Sequence, residues 1–106
     1  MTTVSWGYLL IWEFQIKQTF EPQFQIVYGS EGEWANFFRQ DPNYCGTDLV
    51  RDLNQPGRYV TLDYWTSRAA YENFRLQHAD EYKKIDHRCE EMTEREVALG
   101  AYERVA

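Results

Sequence analysis

The segment Gly57–His78, GRYVTLDYWTSRAAYENFRLQH, switches its hydrophobic period from two to about 3.6 within a few residues, which dictates a strand running almost directly into a helix. The strand ends in Trp65, Thr66-Ser67 makes a small polar step, and the helix lays Tyr71, Phe74 and His78 along one side. An indole, a phenol and an imidazole therefore gather near one strand-to-helix corner. A small domain can build a pocket at such a place.

The rest of the chain supplies the partners this corner needs. Tyr8–Lys17 reads as a strand, with Tyr8, Leu10, Trp12, Phe14 and Ile16 on one face and Leu9, Ile11, Glu13 and Gln15 on the other. Thr19 is placed to cap a short helix that buries Phe20, Phe24 and Val27 and stops at Gly29. Ser30 and Glu33 have the spacing of a capping box for a second helical piece carrying Trp34, Phe37 and Phe38, closed by Asp41-Pro42. Tyr44–Leu53 is a strand, Gln55-Pro56-Gly57 a tight turn, and Arg58–Trp65 the returning strand. Residues 80–92 continue helically on a stripe of Tyr82, Ile85, Cys89 and Met92, with Asp80 and Lys84 spaced as an i,i+4 pair. Glu96–Val105 is the last strand, with Val97, Leu99 and Ala101 alternating against Glu96, Ala98 and Gly100.

The order is β-α-β-β-α-β, an α+β ferredoxin-like subunit with an antiparallel sheet. Its helices cover one face of the sheet and leave the other bare. Yet Val60, Leu62 and Tyr64 oppose Tyr59 and Trp65, so both faces are apolar. A bare apolar face is sticky, and a twofold partner is the simplest cover, so the chain is expected to form a homodimer through it.

A length of 106 residues suits one domain, taken as residues 1–106. The net charge of −6, with its eleven basic residues scattered, excludes a phosphate-backbone partner, so no nucleic acid is expected. Four Trp, eight Tyr and six Phe imply an aromatic core, an aromatic-lined cavity, or both. Cys45 and Cys89 lack metal or CxxC spacing and read as free thiols in a reducing compartment. The apolar run Trp6–Phe14 is too short to span a bilayer, so no membrane partner and a cytoplasmic location are expected.

The strand LIWEFQIK, the segment EWANFFRQDPNYCGTDLVRDLNQPGRYVTLDYWTSRAAYENF and the tail TEREVALGAYE resemble the antibiotic biosynthesis monooxygenase-like family of dimeric α/β-barrel proteins. The resemblance runs from about Leu9 to Glu103. It implies two ferredoxin-like subunits packed sheet to sheet, each with a cavity between sheet and helices. It also implies an activity from a varied set: cofactor-independent oxygenation of polycyclic aromatic phenols, haem degradation, or none assigned. The oxygenase pattern of an Asn and a Trp four residues apart, then a Tyr six further on, is met at Trp65 and Tyr71. Thr61 replaces the Asn, and Arg75 and Arg88 are only loose matches to the family's arginine. The haem-degrading pattern fails, with Phe14 and Phe74 at its Asn and Trp positions and His87 out of register.

A cofactor-free oxygenation asks the protein to deprotonate an electron-rich phenol, hold the anion and exclude water. Trp65 and Tyr71 suit the holding role, and Asp63 or His78 the base. Thr61, Trp12 and Phe74 complete the substrate wall. Asp63 shares strand parity with Thr61 and Trp65, while Glu13, also set in an apolar strand, is the alternative buried carboxylate. Each has a plainer reading: Trp65 and Tyr71 as core packing, the carboxylates as ion-paired, His78 as a helix C-terminal residue. No metal or cofactor motif is present, and none is expected. The expected function is a cofactor-independent monooxygenase acting on a planar phenolic or polycyclic aromatic small molecule. The alternative is a non-catalytic small-molecule binding or accessory protein of the same fold, ahead of haem degradation.

Overall fold

The computed structural model describes residues 5–106, so the four N-terminal residues of the expected domain lie outside the described residues. Strands β1 (Tyr8–Ile16), β2 (Tyr44–Arg51), β3 (Arg58–Trp65) and β4 (Thr93–Glu103) form one antiparallel sheet in the order β2-β3-β1-β4. Helices α1 (Glu21–Tyr28) and α2 (Glu33–Phe38) follow β1, and α3 (Arg68–Gln77) and α4 (Ala79–Cys89) follow β3. All four helices cover one face. This is the ferredoxin-like arrangement, with each crossover split into two helical pieces.

The period switch falls where the sequence places it. β3 stops at Trp65, and Ser67 caps α3, its Oγ accepting the Ala70 N–H at 3.1 Å. The turn before β3 needs Gly57, whose φ of +79° is open to few other residues. The core is a continuous aromatic layer: Phe24, Tyr59, Trp65 and Phe74 are almost fully buried, and Phe24 stacks on Tyr28 with ring centroids 4.3 Å apart. Tyr82, Ile85, Cys89 and Met92 form the buried stripe along α4 and the turn after it, as their spacing predicts. Cys45 and Cys89 are both free thiols.

Several local expectations are corrected. Thr19 caps nothing; a short 3-10 turn over Gln18–Phe20 leads into α1, with Pro22 in the first turn. The Ser30–Glu33 capping box does not form, because Gly32 is the N-cap of α2 and Glu33 is drawn away by Arg88 at 2.5 Å. Asp41-Pro42 lies beyond the end of α2, which stops at Phe38. Asp80 and Lys84 make no ion pair. In β4 a bulge inserts Leu99, so that Trp12 pairs with Ala98 and the adjacent Ile11 with Gly100. Val97 and Ala101 therefore fall on opposite faces, where plain alternation put them together.

The sheet's outer face is apolar at its centre, where Ile11 pairs with Leu62 and Leu9 with Tyr64. Val50, Val97 and Tyr102 around them are well exposed. At one end of this face Glu13 holds Arg58 and Arg95, and Arg58 also reaches Asp52 at 2.9 Å. Glu13 is thus an ion-paired residue of the outer face, which removes it as a base for a cavity under the helices. Among the described residues no helix is long and apolar enough to cross a membrane.

Candidate functional site

β1 and β3 send Trp12, Thr61 and Asp63 toward the helices, where they line a cavity of about 40 Å³ between sheet and helical layer. Tyr71 on α3 and Tyr82 on α4 close it from above, and Trp34 and Phe38 on α2 form its far wall. Phe14, Tyr28 and Thr47 complete the interior, while Glu96 on the exposed edge strand forms the rim. The volume holds a water molecule or so. A planar ring system enters only if aromatic side chains turn aside.

Asp63 is the chemically distinctive wall residue. Its Oδ1 accepts the Thr47 hydroxyl at 2.6 Å, and Thr47 in turn shares a 2.5 Å hydrogen bond with Tyr44 Oη. Among the described residues it has no salt-bridge partner. Asp63 is partly buried, and a carboxylate drawn back from water without a cation favours its neutral form. Burial accordingly pushes the Asp63 carboxyl from 3.8 up to about 6, against the downward pull of the Thr47 hydrogen bond. Burial likewise pushes the Tyr44 phenol up to about 12.

Thr47 reaches Asp63 because of a bulge in β2. Tyr44 pairs with Trp65, and the next register pair is Gly46 with Tyr64, leaving Cys45 extra. Gly46 accommodates this with a φ of +133°. The slip brings Tyr44 and Thr47, three residues apart, onto the same face, and sets Thr47 directly opposite Asp63.

Tyr71 is held from behind. Arg75 Nη1 donates to Tyr71 Oη at 2.8 Å, and the same guanidinium lies 3.6 Å from the centroid of the Tyr82 ring. With the guanidinium occupying a lone pair, the Tyr71 proton is left to be donated elsewhere. Burial raises the Tyr71 phenol, and Arg75 pulls it back down. Arg88, the other loose match, faces Glu33 on the outer surface. Arg75 is the arginine beside the cavity.

The remaining expected site residues lie deeper. Trp65 is fully buried behind the cavity wall, its ring 5.4 Å from that of Tyr71, and its indole N–H has no acceptor. Phe74 is fully buried beneath it, centroids 5.3 Å apart. His78 caps the end of α3 half-buried, its ring 4.4 Å from that of Phe74, and does not line the cavity. Four of the seven residues singled out in the sequence, Trp12, Thr61, Asp63 and Tyr71, thus meet at one cavity. Tyr44, Thr47, Tyr82 and Glu96 were not singled out; only Gly46, a glycine inside a strand, hinted at the bulge that brings Thr47 in.

A variant of the cofactor-independent oxygenase SnoaB from Streptomyces nogalater superposes with a TM-score of 0.71, at 16% identity over 94% of both chains. A conserved protein from Methanosarcina mazei Go1 gives 0.69 at 13% identity, again over 94% of both chains. PA3566 from Pseudomonas aeruginosa gives 0.65 at 15% identity, over 99% of this chain and 100% of its own. At these identities the likeness is one of fold. No curated protein matches the sequence significantly. The family model for antibiotic biosynthesis monooxygenases matches residues 9–87, most of the sequence and every wall of the cavity except Glu96. By that match the chain belongs to the antibiotic biosynthesis monooxygenase family.

Proposed function

We propose that the cavity carries out a cofactor-independent oxygenation of a planar phenolic substrate, with Asp63 as the base. The observation behind this reading is a carboxylate in an aromatic cavity, hydrogen-bonded among the described residues to the Thr47 hydroxyl alone and shifted toward neutrality. In the reaction Asp63 takes a proton from the substrate. Tyr71, its oxygen held by Arg75, donates its proton to the resulting oxyanion. Dioxygen adds to the electron-rich carbon as a peroxide anion, which takes up one proton from water to become the hydroperoxide, and loss of water leaves a carbonyl. One oxygen atom enters the product and the other leaves as water. Trp65, whose N–H is unsatisfied, supplies a second donor to a ligand reaching that depth.

The test uses 1,8-dihydroxyanthrone with labelled dioxygen. One labelled oxygen is expected in the new carbonyl, at a rate well above the protein-free reaction. Tyr71→Phe is expected to lower kcat by about 10–100-fold, the cost of losing one oxyanion donor. Oxidation no faster than in buffer would defeat the reading. The small cavity favours one rival, a non-catalytic binder of a slender aromatic ligand. Saturable binding of the anthrone without turnover would support that rival.

The outer sheet face completes the proposal: two copies pair through the patch centred on Ile11 and Leu62. Burying this patch removes exposed apolar surface that a monomer would carry into water. Wild-type protein is expected to scatter light as a dimer and Leu62→Asp as a folded monomer. A monomeric wild type at micromolar concentration excludes the pairing.

A further inference from the structure

We propose that Thr47 is the proton exit for Asp63, passing the proton that Asp63 takes in the cavity to solvent beyond β2. The proposal rests on Asp63 being the base. Its geometry is independent of any substrate. Thr47 borders two spaces at once: the cavity that holds Asp63, and an open hollow between α1 and the edge strand β2, where Gln25, Ser30 and Arg51 also lie. Among the cavity walls only Thr47 also lines that hollow.

The hydroxyl chain has two settings. With Asp63 ionised, Tyr44 donates to Thr47 and Thr47 donates to Asp63, at 2.5 and 2.6 Å. With Asp63 protonated, the carboxyl O–H donates to Thr47 and the threonine proton turns outward. Transfer then breaks the Asp63 O–H bond, forms one on Thr47 Oγ, and releases the original threonine proton to water in the hollow. Only O–H bonds change, and no electron moves. The base is thereby reset without the proton having to pass the ligand in the cavity. A route for the proton that avoids the cavity mouth matters because the cavity has so little spare volume.

The groups that face Asp63 do not mimic this role. Tyr71 on α3 is backed by Arg75, and Tyr82 on α4, Tyr28 on α1 and Tyr44 on β2 are all phenols that burial holds well above neutrality. β1 and α2 contribute only Trp and Phe to the walls. Glu96 on β4 is a second carboxylate, raised by burial and then by Asp86 and Glu90. It is controlled for by repeating the series in Glu96→Gln.

Carboxyl carbon NMR of aspartate-labelled protein reads the Asp63 titration without any substrate. Thr47→Val, close in shape, is expected to raise that titration by about one pH unit, a tenfold change, through loss of a hydrogen bond to the charged form. Thr47→Ser restores it. Tyr44→Phe shifts it less, and adds nothing in the Thr47→Val background. With 1,8-dihydroxyanthrone as the substrate, Thr47→Val lowers kcat, moves the acid limb of the pH profile upward and changes the solvent isotope effect. An unmoved Asp63 titration in Thr47→Val overturns the exit. A moved titration with a wild-type pH profile and isotope effect also overturns it, leaving a static hydrogen bond. Wild-type turnover by Asp63→Asn overturns the exit and the base together, whereas an inactive Asp63→Asn with unaffected Thr47→Val turnover overturns the exit alone.

Discussion

Asp63→Asn is expected to lower kcat for a hydroxyanthrone by about 10²–10⁴-fold, the usual contribution of a positioned general base. Asparagine keeps the shape and can still accept the Thr47 hydroxyl, so the loss reports proton transfer rather than collapse of the wall. The same substitution is expected to stabilise the fold at neutral and alkaline pH. The folded-state carboxyl, at about 6, lies above its ordinary value of 3.8, so the protonated form is the one that folding favours. Wild-type stability from this group is therefore fully present below the unfolded-state value and is lost as pH rises through about 6. Asp63→Asn escapes that loss. Urea unfolding should show the variant more stable by on the order of 2–3 kcal/mol at about pH 8 and nearly equal to wild type at about pH 3. A variant less active and less stable at every pH would make Asp63 a structural residue. A base that costs stability in its charged form is the pattern of a site kept for chemistry.

Trp65→Ala is expected to destabilise the fold by about 3–5 kcal/mol, measured as a lower urea midpoint at unchanged slope. Trp65 is fully buried and touches four rings, those of Phe38, Tyr44, Tyr71 and Phe74, with centroids 5.3–5.6 Å away. Truncation would leave a cavity bounded by rigid aromatics that cannot close in. Trp65→Phe separates packing from chemistry. It keeps a ring in place and removes an N–H that has no acceptor, so its stability cost is expected to be only about 1–2 kcal/mol. Turnover of the anthrone should nevertheless fall if that N–H holds the substrate anion. An unchanged rate assigns Trp65 to packing alone.

These two residues also mark how much of the site was legible in the sequence. Asp63 and Thr61 could be placed on one face with Trp65 from strand parity, and the structure agrees because β3 runs regularly from Arg58 to Trp65. Tyr71 could be placed above them from helical spacing, because Ser67 caps α3 immediately after the strand. The partners of Asp63 and Tyr71 could not be read in the same way. Thr47 meets Asp63 through a one-residue slip in β2, and the slip reverses the face that alternation from Tyr44 assigns to it. Arg75 stands one turn beyond Tyr71, but its stacking on Tyr82 depends on how α4 folds back against α3. His78, promising by type and spacing, ends against Phe74 because the helix breaks there.

The sequence by itself determined the order of strands and helices, the apolar character of both sheet faces and the aromatic corner at Gly57–His78. Those features follow from periodicity and capping, which act over a few residues. Only the tertiary structure decided that Asp63 has the Thr47 hydroxyl and, among the described residues, no salt-bridge partner, that Glu13 is ion-paired, and that Trp65 lies behind the cavity rather than in its wall. Charge neutralisation and enclosure depend on residues distant in the chain and on bulges that shift which of them meet. That is the level at which a buried carboxylate becomes either half of an ion pair or a base.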